Sequence, residues 1–396
     1  MSCLVAFHPG FLWVAGADYF LFTTLLGVVL IHLRLKPTWL DLLLVCAGSV
    51  LLCIAAPRVV PFALTKFAYL SLPGMVSVAV MAGRCVWSRP DRRLLVPALG
   101  TSIIFVGAGV LTPPVLHFIE VIRPKVFDLY LDSFDSSLGV QPSFLLGRAF
   151  LRWHWFGAIS IWIYLGLSLV LALVFVENLR LQVRRALWIV AAFLVCAPAG
   201  ELFYAMFPAL GPRLLFQKDF PLHPVAMADA ARLQLQPILL AGPRNAIPSL
   251  HMAWVLLAWW CSEGTSWVSR SVAALFVIFT VTSTMGTGEH YFVDLVVAIP
   301  FALMLHAIFC AETSWRTASR WCAITLGFAM VLTWFGLLRY ASSIFWLSPA
   351  VPWSLVAATV TASFVLKDGM KPIVESSTLV ADNPANKVFD ESPAAN

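Results

Sequence analysis

A chain of 396 residues that is 60% hydrophobic and only 12% charged is not a soluble globular domain; such domains are roughly 45–50% apolar and about 25% charged. A mean hydropathy of +0.87, with 16 Trp and 29 Phe, fits helices in lipid with aromatic belts at the interfaces. The net charge of +6 does not point to nucleic acid, because the bases sit singly or in short groups between apolar runs, as in loops held at an anionic membrane surface.

A spanning helix needs about 20 mainly apolar residues. The first such run, 11–33, is longer than a signal-peptide core and has no basic segment ahead of it, so it is read as a true span. Further spans are expected at 39–56, 67–83 and 94–112. A long loop over 113–152 follows, with FDLYLDSFDSSLG in it. Its Asp128, Asp132 and Asp135 read either as a solvated acidic loop or as groups that position a sugar or cationic headgroup. Spans at 153–176 and 186–207 precede a second long loop, 208–246. The remaining spans are 247–262, 270–288, 291–310, 321–338 and 347–366. The fold expected is an all-α polytopic membrane bundle of about eleven spans. From Lys367 to Asn396 the chain turns polar, with Pro, Asn, Ser and Glu, as in a disordered cytoplasmic tail.

Orientation follows from Lys and Arg in the short loops. With the N-terminus outside, one side holds Arg34, Lys36, Arg84, Arg89, Arg92, Arg93, Arg180, Arg184, Arg185, Arg270, Arg316, Arg320 and the tail lysines. The other side's short loops hold only Arg58, Lys66 and Arg339. The expectation is therefore N-terminus out and C-terminus in. The eight cysteines form no C-x-x-C pair, and several lie inside apolar runs as small hydrophobes; neither a disulfide framework nor a zinc site is expected.

RNAIPSLHMAW (244–254) carries an imidazole, His251, where the seventh span enters lipid, and GTGEHYFVDLVVAIP (286–300) opens the ninth with His290 and Asp294. Ionisable groups at membrane depth are costly and face a cavity or a partner. Both histidines open spans on the same side, which the charge count makes non-cytoplasmic. Asp294 lies four residues after His290 and shares its helix face. A carboxylate there fixes the imidazole tautomer and frees the other nitrogen as a nucleophile. A second histidine opposite can act as general acid and then base. The plain alternative is two interfacial histidines at helix ends. Phosphorus suits a histidine nucleophile, and phosphoryl transfer needs cations and backbone donors. Arg213 in FPALGPRLLF, Arg244 in GPRNAIPSLH, and Ser249 with the first amides of the seventh helix can supply them. The alternative for each Arg is a residue snorkelling at headgroup level.

PSLH (248–251) resembles the P-S-G-H block of the type 2 phosphatidic acid phosphatase superfamily, and STMGTGEHYFVD (283–294) resembles its later block, Ser-Arg followed by H-x-x-x-D. Thr284 stands at that Arg and Leu250 at the Gly. Both departures look like the inositol phosphorylceramide synthase branch, as does the run HYFVDL. The superfamily's first block, K-x6-R-P, is absent in standard form; YAMFPALGPR occupies its place, with Arg213 as the stand-in. The resemblance covers about 94–310 and implies a six-helix catalytic core there, with extra helices at 1–93 and 311–366 and the tail at 367–396. It implies His290 as the residue that becomes phosphorylated, Asp294 as its orienter and His251 as proton donor, with no metal or cofactor. Glu289, beside the nucleophile, reads as pointing into water or steering a hydroxyl acceptor.

The leading expectation is a multi-pass membrane phosphotransferase moving a phosphorylated headgroup, such as phosphoinositol, from a phospholipid to a lipid hydroxyl such as ceramide's. Its site would face the non-cytoplasmic side, with donor and acceptor lipids as its partners. The first rival is a lipid phosphate phosphatase. The second is a proton-coupled transporter, which predicts inverted repeats and breaks at residues such as Pro198 and Pro300.

Overall fold

The computed structural model describes residues 9–59, 65–87 and 92–370. Lipid offers the backbone no hydrogen bonds, so an apolar run must satisfy its own amides by coiling into a helix. Four helices come first: α1 (Pro9–Arg34), α2 (Trp39–Val59), α3 (Lys66–Trp87) and α4 (Arg92–Ile122). A two-residue strand, β1 (Lys125–Val126), leads to α5 (Asp128–Ser137) and α6 (Pro142–Arg152). Next come α7 (His154–Leu165), α8 (Leu167–Leu181) and α9 (Val183–Met206). The second long loop holds α10 (Pro212–Phe216), α11 (Met227–Ala230) and β2 (Ile238–Leu239). The chain closes with α12 (Leu250–Cys261), α13 (Trp267–Gly286), α14 (Phe292–Phe309), α15 (Ala318–Tyr340) and α16 (Ala350–Asp368).

Every segment expected to span the membrane is helical. Among the described residues seven helices are long and apolar enough to cross, or eight with α7 and α8 taken as one bent span. Tyr19–Arg34 and α12 are shorter apolar helices. The fold is an all-α, multi-pass membrane bundle. Of the polar tail, 371–396 lies outside the described residues, while Lys367 and Asp368 finish α16.

Two features departed from the sequence expectation, and a third bears on the transporter rival. The fifth span breaks at Gly166, where α7 and α8 meet at 47°. The loop 113–152 is mostly helical: α4 runs on to Ile122, and α5 and α6 follow. Pro198 and Pro300, offered as transporter-like breaks, both sit inside continuous helices.

α14 is the central post. It packs against α9, α12, α15 and α16, and 78% of its spanning window is buried in protein, against 11% for α2. The main apolar core runs through α5, α8, α9, α12, α14 and α15. A smaller core joins α1, α3, α4 and α8 through Leu25, Val28, Met81, Leu95 and Phe175. Helices α9 and α12 approach closely because Gly200 has no side chain; a Cβ there would collide with Leu250. At the far end of α14, Arg320 donates to the Ile308 and Thr313 carbonyls at 2.6 and 2.5 Å, which occupies an acceptor that a helix C-terminus leaves open.

Candidate active site

Three segments meet at the N-terminal ends of α12 and α14: the loop after α9, the PSLH turn, and the α13–α14 loop. Backbone bonds join them. Ser249 donates its amide to the Asp294 carbonyl (3.2 Å), Ala246 to Ala209 (3.2 Å) and Arg213 to Gly288 (2.9 Å). The last contact needs Gly211, which has φ +120° and lies so close to the Glu289 carbonyl that any Cβ would collide with it.

The histidine–carboxylate pair forms as the four-residue spacing predicts. His290 Nδ1 is 3.3 Å from Asp294 Oδ2, and both residues are buried. The same carboxylate oxygen accepts the Tyr291 amide at 2.8 Å, so it caps α14 as well as orienting the ring. With Nδ1–H donating to Asp294, Nε2 carries the free lone pair. That nitrogen lies 3.1 Å from Ser249 Oγ, the N-cap of α12, which also accepts the Met252 amide. His290 Nε2 thus sits at the positive end of a helix, where an anion is favoured. The His290 backbone is pinned on both sides: its amide donates to Thr284 (3.1 Å) and its carbonyl accepts from Ser143 Oγ (2.8 Å).

His251 lies in the first turn of α12, two residues after Ser249, whose hydroxyl meets His290 Nε2. Its Nδ1 is 3.2 Å from the Tyr164 hydroxyl, and the two rings lie 4.4 Å apart. Nothing in the sequence singled out Tyr164 or Ser143, since a lone Tyr or Ser near an apolar run carries no pattern.

The two arginines separate. Arg213 pairs with Glu289 Oε1 at 2.5 Å, immediately beside His290, and its Nε has no partner among the described residues. Glu289 therefore does not point freely into water. Arg244 is 1% exposed. It donates through Nε to Arg123 (3.0 Å), through Nη2 to Pro124 and Leu240 (2.7 and 2.8 Å), and through Nη1 to Gly242. Burial lowers its pKa from the usual guanidinium value. Four of its five N–H groups hold loop carbonyls, which makes it a loop clasp in place of the expected phosphate ligand. Thr284 is buried and bonded to the Thr280 carbonyl, so no cation replaces the missing Arg at that position.

The reading of Asp128, Asp132 and Asp135 as a solvated acidic loop is also corrected, because all three are buried in α5. Asp128 accepts the Leu210 and Gly211 amides (3.1 and 2.8 Å) and the Tyr291 hydroxyl (3.2 Å). Asp135 accepts the Phe292 and Val293 amides at the start of α14 (2.7 and 3.3 Å). They fasten the loop after α9 and the start of α14 to α5. Burial pushes Asp128 and Asp132 up to about 7 and holds Asp135 well above the carboxylate range.

The arrangement can hold a phosphoryl group between an oriented imidazole and a helix N-terminus, with a second imidazole for proton transfer. No curated protein and no solved structure gives a match to this chain. Residues 129–308, a little under half of the chain, match the family model of the PAP2 superfamily. The match opens in α5 and closes near the end of α14, so it takes in both histidine segments but leaves out α4. This similarity supports an activity of the lipid phosphatase or phosphotransferase type for the segment that carries Ser249, His251, His290 and Asp294.

Proposed function

We propose that this protein is a membrane phosphotransferase that moves a phosphorylated polar headgroup, such as phosphoinositol, from a phospholipid to a lipid hydroxyl such as that of ceramide. The observation that carries the choice of transferase is the charge inventory. Of the two arginines near the histidines, one is held by Glu289 and the other is spent on backbone carbonyls. A phosphodiester brings one negative charge and a monoester close to two, so a site in which, of these two arginines, only the already paired Arg213 is left for phosphate suits the diester. The likeness of PSLH and HYFVD to the inositol phosphorylceramide synthase branch supports the same reading.

In this mechanism Nε2 of His290 attacks phosphorus, the P–O bond to the diacylglycerol oxygen breaks, and His251 gives that oxygen a proton. The acceptor hydroxyl then loses its proton to His251 and attacks the phosphohistidine, which returns Nε2 with its lone pair. Asp294 holds the His290 tautomer throughout. Arg213 and Ser249 bind the phosphoryl oxygens, with Arg213 released from Glu289 by the incoming phosphate. By the distribution of Lys and Arg, the site opens on the non-cytoplasmic face. Segment 94–310 forms the catalytic unit, and the flanking helices are additions around it.

The test offers purified protein in lipid a labelled phosphoinositol lipid and a labelled phosphatidic acid, each with and without ceramide. Headgroup arriving on ceramide, lost in His290→Gln, is the expected result. Inorganic phosphate released from phosphatidic acid regardless of acceptor would make the protein a phosphatase. No turnover on any substrate would favour the proton-relay reading.

A further inference from the structure

Two histidines in one site invite the question of which is the nucleophile and which moves the proton. Their Nδ1 partners differ in kind. His290 Nδ1 meets a carboxylate, Asp294 Oδ2, whereas His251 Nδ1 meets a neutral phenol, Tyr164 OH, at 3.2 Å. A carboxylate stabilises the imidazolium and makes the opposite nitrogen more basic; a phenol orients the ring without adding charge and leaves the proton easier to release.

We propose that Tyr164 is the positioning residue of the proton-transfer histidine, its hydroxyl oxygen accepting Nδ1–H of His251 so that Nε2 is the nitrogen that exchanges protons with the leaving and entering oxygens. This rests on the roles given to the two histidines above. In the first half-reaction the His251 imidazolium loses its Nε2 proton to the departing alkoxide and becomes the neutral Nδ1–H tautomer. In the second it takes the acceptor's hydroxyl proton back on Nε2. Nδ1–H stays on the Tyr164 oxygen in both states, so the ring need not turn between them. The fold sets this up at a break: Tyr164 is the penultimate residue of α7, where the chain bends 47° at Gly166 before α8 continues. The tilted ring contact with Tyr164 at 4.4 Å and the edge-on contact with Trp254 at 5.9 Å confine the imidazole further.

Tyr164→Phe keeps the ring and removes only the hydroxyl. The experiment measures single-turnover release of the leaving alcohol from two phosphodiesters with the same headgroup, one leaving as a diacylglycerol and one as p-nitrophenol. The nitrophenolate departs without protonation, so general-acid help matters only for the first. The expected result is a fall of about tenfold or more on the diacylglycerol donor, at the low end of what general acid–base catalysis supplies. Release of nitrophenol should change by less than about twofold on the same scale, with KM for both donors unchanged. An equal fall on both donors, or none on either, overturns the proposal. A second readout needs no substrate. Nitrogen NMR of histidine-labelled protein should show neutral His251 as the Nδ1–H tautomer, redistributed in Tyr164→Phe; an Nε2–H tautomer, or a spectrum that the substitution leaves unchanged, also overturns it. Should the unsubstituted protein turn over neither donor, the functional reading fails, and the imidazole spectrum alone judges the Tyr164–His251 bond.

Discussion

Asp294 serves two structures with one oxygen, taking the His290 Nδ1–H and the Tyr291 amide together. Asp294→Asn can keep the cap but presents the ring with the wrong partner, so kcat should fall by about a hundredfold or more with little change in thermal stability; near-normal turnover would make Asp294 purely structural. The arginines should split in the opposite sense. Arg213→Ala should raise KM for the phosphate-bearing lipid and leave the melting temperature close to that of the parent. Arg244→Ala should lower the melting temperature first, because it strands buried loop carbonyls at about 1–3 kcal/mol for each unsatisfied group. Equal kinetic defects with intact stability would return Arg244 to the phosphate site. Asp132 makes a pH prediction. Burial raises its folded pKa to about 7, above an unfolded value of about 4. Between those values the folded protein holds a proton that the unfolded chain gives up. Stability is therefore full below the window and falls as pH rises through it. Asp132→Asn carries no such proton, and its melting temperature should vary less from pH 4 to 7 than the parent's.

Among the elements, α5 braces the candidate site although it carries none of the residues proposed for catalysis. Asp135 reaches the first amides of α14 and Asp128 the loop of Leu210 and Gly211. Removing the Asp135 carboxyl leaves two amides at the α14 N-terminus without their acceptor. Asp135→Ala should lower stability by about 0.5–2 kcal/mol, the range for a lost helix cap, and should lower kcat as well, since His290 lies two residues before Phe292. Loss of stability with unchanged kcat would show that the α13–α14 loop holds the ring unaided. Sequence reading left this segment in a long loop, and neither of its readings of the charge, solvation or a headgroup contact, was a backbone clamp. The run DLYLDSFDSS reads as polar, and only packing reveals that its carboxylates are turned inward onto backbone amides. The α7–α8 bend was hidden for a related reason: 153–176 is apolar throughout, and hydropathy measures partition into lipid without sensing a change of axis at Gly166.

At the scale of the whole molecule, the two ends of the bundle carry different chemistry. The histidines open α12 and α14, while the opposite ends of the same helices carry ion pairs. There Arg185 meets Glu312 at 2.7 Å, and Lys367, at the end of α16, meets Glu263. The orientation we propose from the Lys and Arg distribution has the histidine end outside the cytoplasm. A cysteine at Lys218, an exposed residue of the loop after α9, in a chain whose native cysteines are replaced, should react with an impermeant thiol reagent on intact cells. Labelling only after the cells are opened would reverse the orientation.

What the sequence determined by itself was the class of fold, the helical segments and the His290–Asp294 pair, because hydropathy and helical spacing are local properties that a one-dimensional string carries in full. Tertiary structure decided which charges were free for chemistry. Arg213 and Arg244 look alike in sequence, each following a Gly-Pro pair, but one pairs with Glu289 beside His290 and the other is consumed by carbonyls of its own loop and of Arg123 and Pro124, more than a hundred residues away. The phenol that orients His251 likewise comes from another helix. Buried polar groups must be satisfied wherever a partner is in reach, and reach across the bundle is set by how the helices pack.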